Sequence, residues 1–132
     1  QGNRTQDLLT NAENEIIVTL GMLDQNNLTA AQHASARALI AARGALTSKP
    51  DSNLVKGALK ITEAFRSVVR AYQEGASGNF AEVVRLSGES WNLGAKAQEF
   101  DPSMAKLAEQ VQSISKQMAD GARNQLEGGS ES

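Results

Sequence analysis

Few side chains in this sequence have the types and spacing that catalysis or metal binding requires. Glu13 with Glu15 and Glu127 with Glu131 come nearest to paired catalytic acids, but the first pair diverges around a helix and the second lies in a predicted tail. Inward-facing acids or a Glu-x-x-His step, which a metal site in a helical bundle needs, are missing from the apolar stripes. Three serines stand without a base nearby in the sequence: Ser87, Ser90 and Ser103. The sequence therefore predicts a noncatalytic protein without a metal or cofactor.

The single histidine, His33, supports an alternative function as a histidine-phosphotransfer or sensory signalling domain. Phosphotransfer domains resemble this chain in length and helical content, and an exposed histidine accepts the phosphoryl group. A lysine and then a glycine usually follow that histidine by three and four positions, whereas Ala36 and Arg37 stand there in this chain. A plain surface histidine is the simpler interpretation. Burial of His33 would exclude the alternative.

The elements that position these side chains are predicted to be helices, because apolar residues recur at three- and four-residue steps in five stretches. The last stretch is the clearest, since charged and polar residues surround its stripe on all other sides. Its apolar members are Met104, Leu107, Val111, Ile114 and Met118. No stretch alternates apolar and polar residues long enough to predict a strand. The chain should therefore be all-α.

Local signals place the ends of the first three helices. Helix one spans about Arg4 to Asp24, and Thr29 with Gln32 forms a capping box that starts helix two. Alanines dominate the predicted buried face of helix two, which we expect to be the most enclosed. They are Ala31, Ala34, Ala38, Ala41 and Ala45. A turn around Pro50 separates it from helix three, which should end at a left-handed Gly75.

The sequence signals for helix four are weak, whereas those for helix five are strong. Asn79 with Glu82 should open helix four, which Gly88 and Gly94 weaken. The Asp101-Pro102 pair is a strong start for helix five, which should run to about Leu126 before Gly128-Gly129. The predicted stripes of helices three and four follow. They are Leu54, Ala58, Ile61, Phe65, Val68 and Tyr72, and then Phe80, Val83, Val84, Leu86, Trp91 and Leu93.

Short connections favour antiparallel neighbours, so the predicted fold is an up-and-down antiparallel bundle of four or five helices. Four would result if helices four and five were one kinked rod. Residues 1–126 should form a single soluble domain, and residues 127–132 a flexible tail or linker. No apolar run approaches the length of a membrane span. The absence of cysteine leaves the compartment open, with the cytoplasm favoured over an extracytoplasmic location.

Positive charge is concentrated in the middle of a chain whose formal net charge is −2. Residues 28–73 hold seven basic and only two acidic side chains. This basic hairpin could dock an acidic protein partner or anionic lipid headgroups, or it could complement acidic neighbours within the bundle. The charge and the buried aromatic residues argue against nucleic acid. The candidate partner-binding residues are Arg37, Arg43, Lys56, Lys60, Arg66 and Arg70.

Trp91 is predicted to lie in the core, on the stripe of helix four. The alternative is a binding anchor, because Ser87 and Gly88 are small and could leave a groove beside the indole. A partner helix or small ligand could fill such a groove. The same feature supports a further alternative, an extracytoplasmic ligand-binding helical bundle.

The stretch from Thr29 to Tyr72 resembles the alanine-rich helices of talin and vinculin-type rod bundles. The resemblance lies in Ala38-Leu39-Ile40-Ala41-Ala42-Arg43, Leu54-Val55-Lys56-Gly57-Ala58 and Ile61-Thr62-Glu63-Ala64. It implies a cytoskeletal or adhesion-type adaptor whose helices bind other helices or actin. Ile16-Ile17-Val18 and Trp91 depart from that pattern. The leading interpretation is a noncatalytic interaction module, an adaptor or scaffold, that binds a protein partner through a helix face or groove.

Overall fold

A computed structural model describes residues 4–131, and within that range the chain forms five α-helices and no strand. The all-α fold expected from the sequence is confirmed. The fourth and fifth helices are separate rods rather than one kinked helix. The elements in chain order are α1 (Arg4–Asp24), α2 (Leu28–Ser48), α3 (Asn53–Ala76), α4 (Phe80–Phe100), a 3-10 turn (Pro102–Met104) and α5 (Ala105–Glu131).

Each helix runs antiparallel to the one before it, as contacts between successive helices indicate. Leu8 lies against Gly44 and Glu15 pairs with Arg37, so α1 and α2 run in opposite directions. Across α2 and α3, Gln73 Nε2 donates to Gln32 Oε1 at 3.0 Å near the end where α3 finishes. Equivalent pairs join the remaining helices: Gly57 with Ala97 and Gly75 with Val83 for α3 and α4, and Ser90 with Ser115 for α4 and α5.

One predicted helix start is wrong, because a different side chain satisfies the free amides of α2. Helix α4 begins after Asn79 as predicted, but the expected side-chain cap is not formed. Asn27 caps α2, with its Oδ1 accepting the Ala30 N–H at 3.2 Å, so Thr29 lies inside the first turn. Asn79 precedes α4 without a capping bond from its side chain, which instead donates to Glu74 Oε2 at 2.7 Å. A residue of a type that commonly caps helices therefore does not always form the capping hydrogen bond.

Two predicted helix ends are also wrong. Helix α3 continues through Gly75 to Ala76, and the left-handed residue of the following turn is Gly78, with φ of +81°. Helix α5 continues through Gly128-Gly129 to Glu131, past the predicted end near Leu126. Helical residues therefore extend into the predicted tail; Ser132 and the side chains after Gly128 lie outside the described part. The division into one domain and a tail stays a prediction.

Helix α3 is the centre of the bundle and contacts each of the other four helices. Helices α1 and α2 pack on one side of it, and α4 and α5 pack on the other. Within the described chain, no Cα atom of α1 lies within 8 Å of one in α5, and the same is true of α2 and α4. The expectation that α2 is the most enclosed helix is therefore wrong. The number of neighbouring helices, and not the alanine content, determines which helix is the most enclosed.

The core centres on large side chains of α3, which pack against apolar side chains from the other helices. Phe65 and Ile61 are fully buried and contact residues from α1 and α5, such as Ile16 and Val111. Small residues permit close approach elsewhere: a Cβ on Gly94 would lie 2.5 Å from Val111 Cγ1. The predicted alanine face of α2 is buried as expected. Dense packing of this kind fixes the helices and leaves open the spaces between those that do not touch.

Candidate functional site

A depression lies between α1 and α5, over the N-terminal half of α3. We call it the α1–α5 groove, and its volume is about 560 Å³. It is a feature of the bundle end at which α1, α3 and α5 all begin. Its apolar lining consists of Leu9, Ala12, Ile16 and Ile17 from α1, Leu54, Ala58 and Ile61 from α3, and Met104 and Leu107 from the segment that starts α5.

Large apolar side chains on this groove are left in water. Ile17 is 58% exposed and Leu54 is 53% exposed, although Ile16 and Ile61 beside them are buried. Leu54 was expected in the core because it lies on the α3 stripe. It stands in the first turn of α3, at the end of the bundle, where neither α1 nor α5 reaches across it. An apolar patch in a groove, unlike a single exposed leucine, is typical of a binding surface.

A buried carboxylate lies at one end of the α1–α5 groove. Asp101 is only 5% exposed, and its Oδ1 accepts the Ser103 backbone N–H at 3.0 Å. The Ser103 hydroxyl lies 2.8 Å from both Asp101 Oδ1 and Oδ2. This hydroxyl, which the sequence left without a base, thus bonds a carboxylate that caps a helix turn rather than a histidine that would activate it.

Polar side chains frame the apolar surface of the α1–α5 groove. Gln6 and Glu13 lie along α1, and Lys106 and Gln110 lie along α5. Glu13 therefore faces this groove while Glu15 turns to α2, which confirms that the pair diverges around the helix. An apolar floor with polar walls matches the anatomy of protein interfaces.

A second depression, the α2–α4 groove, lies on the opposite side of α3 and is charged. Its volume is about 420 Å³, with Leu39 and Leu93 on the walls and α3 as the floor. Lys60 pairs with Glu63, three residues further along α3, at 3.3 Å. Three of the predicted basic residues meet in this groove: Lys60, Arg66 and Arg70.

The remaining predicted basic residues lie elsewhere and do not extend that surface. Arg37 Nε bonds Glu15 Oε2 at 2.6 Å on the α1 side, and this hydrogen bond raises the pKa of the guanidinium. Lys56 lies over the Phe100 ring, 5.9 Å from its centroid. Arg43 is exposed on α2. The basic hairpin of the sequence is thus divided among several faces, in part by pairing with an acidic neighbour.

Trp91, Ser87 and Gly88 meet at a shallow groove between α4 and α5, here called the Trp91 groove. Trp91 is 43% exposed, so its predicted place in the core is wrong. The reason is that the face of α4 toward α5 carries small residues, and the close approach they permit leaves no room for an indole. Ser87 is buried and its hydroxyl has no hydrogen-bond partner in the described structure.

The residues considered for chemistry are mostly engaged in structure. Ser90 and Ser115 share a hydrogen bond of 2.5 Å in the α4–α5 interface. His33 is exposed on α2, so the phosphotransfer alternative is not excluded by burial and stays a prediction. Among the described residues no group of three His, Asp or Glu side chains is close enough to hold a metal ion. The Glu127–Glu131 pair stays untested, because the side chain of Glu131 lies outside the described part.

Sequence reasoning did not find the α1–α5 groove, although one signal pointed to it. Ile16, Ile17 and Val18 form an apolar run wider than a single packed stripe requires. The second of them faces the groove and the third is also exposed. Such a run indicates that a helix presents apolar surface in two directions.

Comparisons with known proteins do not extend these observations. No protein-family model, curated protein or solved structure matches the chain. The resemblance to talin and vinculin-type rods therefore stays a prediction. Over residues 4–131, none of the helices has the length and apolar character needed to cross a membrane.

Proposed function

We propose that this chain is a noncatalytic interaction module that accepts a helix of a protein partner in the α1–α5 groove. The observation that carries the proposal is the exposure of Ile17 and Leu54 beside the buried floor residues Ile16 and Ile61. A helix placed between α1 and α5 would remove both exposed side chains from water. Helix-in-groove binding of this kind uses apolar anchors at i, i+3 or i+4, and i+7.

The length of the groove corresponds to about three turns of a helix. On α1 its lining runs from Gln6 to Ile17, which is about 16 Å at 1.5 Å per residue, or about three helical turns. That length accommodates three or four apolar anchors. The partner helix would pack its apolar face against the bundle as the bundle's own helices pack against one another, since α1, α3 and α5 each contribute apolar side chains to the wall or floor of the groove. The resemblance to talin and vinculin-type rods agrees with an adhesion-type adaptor that binds helices.

The test uses a displayed library of amphipathic helical peptides selected against the 132-residue chain. We expect binders whose affinity falls at least about tenfold in the Ile17→Glu variant, because a carboxylate would then face the apolar side of the peptide. The matched control is Ile40→Glu, which makes the same change at an isoleucine that is 70% exposed on α2, away from this groove. Selection of peptides that are insensitive to Ile17→Glu would contradict the proposal.

An acidic partner, as predicted from the sequence, would bind a smaller surface than the whole basic hairpin. That surface consists of Lys60, Arg66 and Arg70 in the α2–α4 groove. In the described structure neither Arg66 nor Arg70 has a carboxylate within 4.0 Å. Binding there would weaken with salt and would be lost on reversing both arginine charges. An acidic peptide whose binding survives the double change Arg66→Glu and Arg70→Glu would exclude this second site.

A further inference from the structure

The partner side chain that lies at the Asp101 end of the α1–α5 groove has a chemistry that the groove itself specifies. The Asp101 carboxylate lines this end and is buried. Its hydrogen-bond donors are the backbone N–H and the hydroxyl of Ser103. No lysine or arginine nitrogen of the described chain lies within 4.0 Å of the Asp101 carboxylate, so it forms no ion pair there. The carboxylate therefore has a helix-capping role but no cation.

The two carboxylate oxygens are not equally satisfied. Oδ1 accepts the Ser103 N–H at 3.0 Å, whereas the neighbour of Oδ2 is the Ser103 hydroxyl at 2.8 Å. That hydroxyl lies equally near Oδ1 and has a single hydrogen, so it serves one oxygen at a time. Oδ2 thus retains acceptor capacity. While the groove is open, water can supply the missing donor.

Docking of a helix changes this balance because it excludes water from the end of the groove. A buried carboxylate that has no counter-ion and an unfilled acceptor position is unfavourable, so an occupant with only apolar side chains would leave Asp101 incompletely satisfied. Resting on the proposed function, we infer that the bound helix carries a lysine or arginine whose charged group reaches Asp101. The aliphatic stem of that residue packs along Leu54 and Met104, and its head donates to Oδ2.

The charged residues of this chain near the groove do not already fill that role. Lys56 is held over the Phe100 ring, and Lys106 lies on the α5 wall with its side chain in solvent. Glu13 on the α1 wall adds a second carboxylate to the same opening. The groove therefore presents two carboxylates and one amine to an arriving helix, which favours a basic residue on the occupant and disfavours an acidic one.

The experiment couples a change in the protein to a change in the peptide. Helices selected against the parent chain are each tested as the selected sequence and with their basic residue changed to glutamine, against the parent and Asp101→Asn. Asparagine keeps the cap that Ser103 recognises and removes the charge. Thermal unfolding followed by circular dichroism checks that Asp101→Asn remains folded, and Lys106→Gln controls for the neighbouring amine.

We expect the glutamine change to weaken binding to the parent at least tenfold and to change binding to Asp101→Asn less than twofold. Binders that depend on Ile17 but show no such coupling would overturn this inference and leave the proposed function standing. Failure to obtain any binder that depends on Ile17 would contradict the proposed function itself. Equal coupling in Asp101→Asn would assign the basic residue to Glu13 and would also overturn the inference.

Discussion

At the scale of single residues, two glycines of α4 have opposite roles that the sequence does not distinguish. A Cβ added to Gly94 would lie 2.5 Å from Val111 Cγ1, so Gly94 lets α5 approach. A Cβ added to Gly88 would have no heavy atom within 4 Å. Both glycines lower the helix propensity of α4 by about 1 kcal/mol each relative to alanine.

We therefore predict opposite effects of Gly88→Ala and Gly94→Ala on the free energy of unfolding. Gly88→Ala should stabilise the protein by about 0.5 to 1 kcal/mol, because the gain in propensity meets no steric opposition. Gly94→Ala should destabilise it, since overpacking of about 1 to 3 kcal/mol opposes the same gain. Urea titration of the two variants and the parent measures both changes. A Gly94→Ala variant as stable as Gly88→Ala would show that α4 and α5 are not closely packed.

The positions of large side chains show what residue patterns could and could not predict. Phe65 was expected in the core and is 1% exposed, whereas Trp91 was expected there and is 43% exposed. Both lie on apolar stripes, which give the direction of a side chain around its helix. The depth of that side chain depends on how closely the next helix approaches. Four helices surround α3, but α4 meets α5 through Ser90 and Gly94, so a bulky neighbour is displaced to the edge.

At the scale of elements, α2 has two candidate N-cap residues, two positions apart, and the structure uses only the first. Asn27 Oδ1 accepts the Ala30 N–H, whereas Thr29 lies within the helix with its side chain exposed. Sequence reasoning chose Thr29 because Gln32 follows it at capping-box spacing. Gln32 is instead bonded to Gln73 of α3. A tertiary contact thus replaced the local one, and a reading of α2 alone could not reveal it.

The expected consequence is that Asn27→Ala costs about 1 kcal/mol of stability, while Thr29→Ala changes stability by less than about 0.5 kcal/mol. The two changes remove polar side chains of similar size at exposed positions of the same element, so each controls for the other. Chemical denaturation followed by circular dichroism at 222 nm gives both values. A larger loss for Thr29→Ala than for Asn27→Ala would restore the capping box predicted from the sequence.

The first turn of α4 carries a pH-dependent contribution to stability. Hydrogen bonds from Arg85 lower the pKa of Glu82, a residue in that turn. A carboxyl group whose pKa is depressed in the folded state stabilises that state above the pKa of the unfolded chain. This contribution is lost as the pH falls through the folded-state value. Glu82 therefore stabilises the fold at neutral pH and ceases to do so in acid.

Glu82→Gln should consequently lower the thermal unfolding midpoint at pH 7, and the difference from the parent should shrink as the pH falls below about 4. Glu109→Gln, which removes the same charge from an exposed position on α5, is the matched control for net charge. Scans of both variants and the parent between pH 7 and pH 3 measure the effect. A difference between Glu82→Gln and the parent that persists unchanged at pH 3 would rule out ionisation as its cause.

At the scale of the whole molecule, the sequence predicted the kind of fold and missed the α1–α5 groove. Periodic apolar residues and short connections are local properties, and they sufficed to predict an antiparallel bundle of four or five helices. The α1–α5 groove depends on the distance between two helices separated by about 80 residues of chain, which no local pattern encodes. Ile17 and Leu54 were therefore assigned to stripes or left unexplained, although together they mark the candidate site.

The central position of α3 determines how the bundle should unfold. Separation of α4 and α5 from α3 would break the packing between Phe65 and Val111 and expose apolar core surface. Separation of α1 and α2 would expose the other side of the same apolar cluster. Neither half can leave α3 without uncovering large apolar surface, so we predict one cooperative transition in urea. Trp91 reports on the α4–α5 half by fluorescence, while circular dichroism at 222 nm reports on all five helices. Their midpoints should coincide, and a Trp91 midpoint at clearly lower urea would mean that α4 and α5 separate first, leaving α1, α2 and α3 as an independently stable unit.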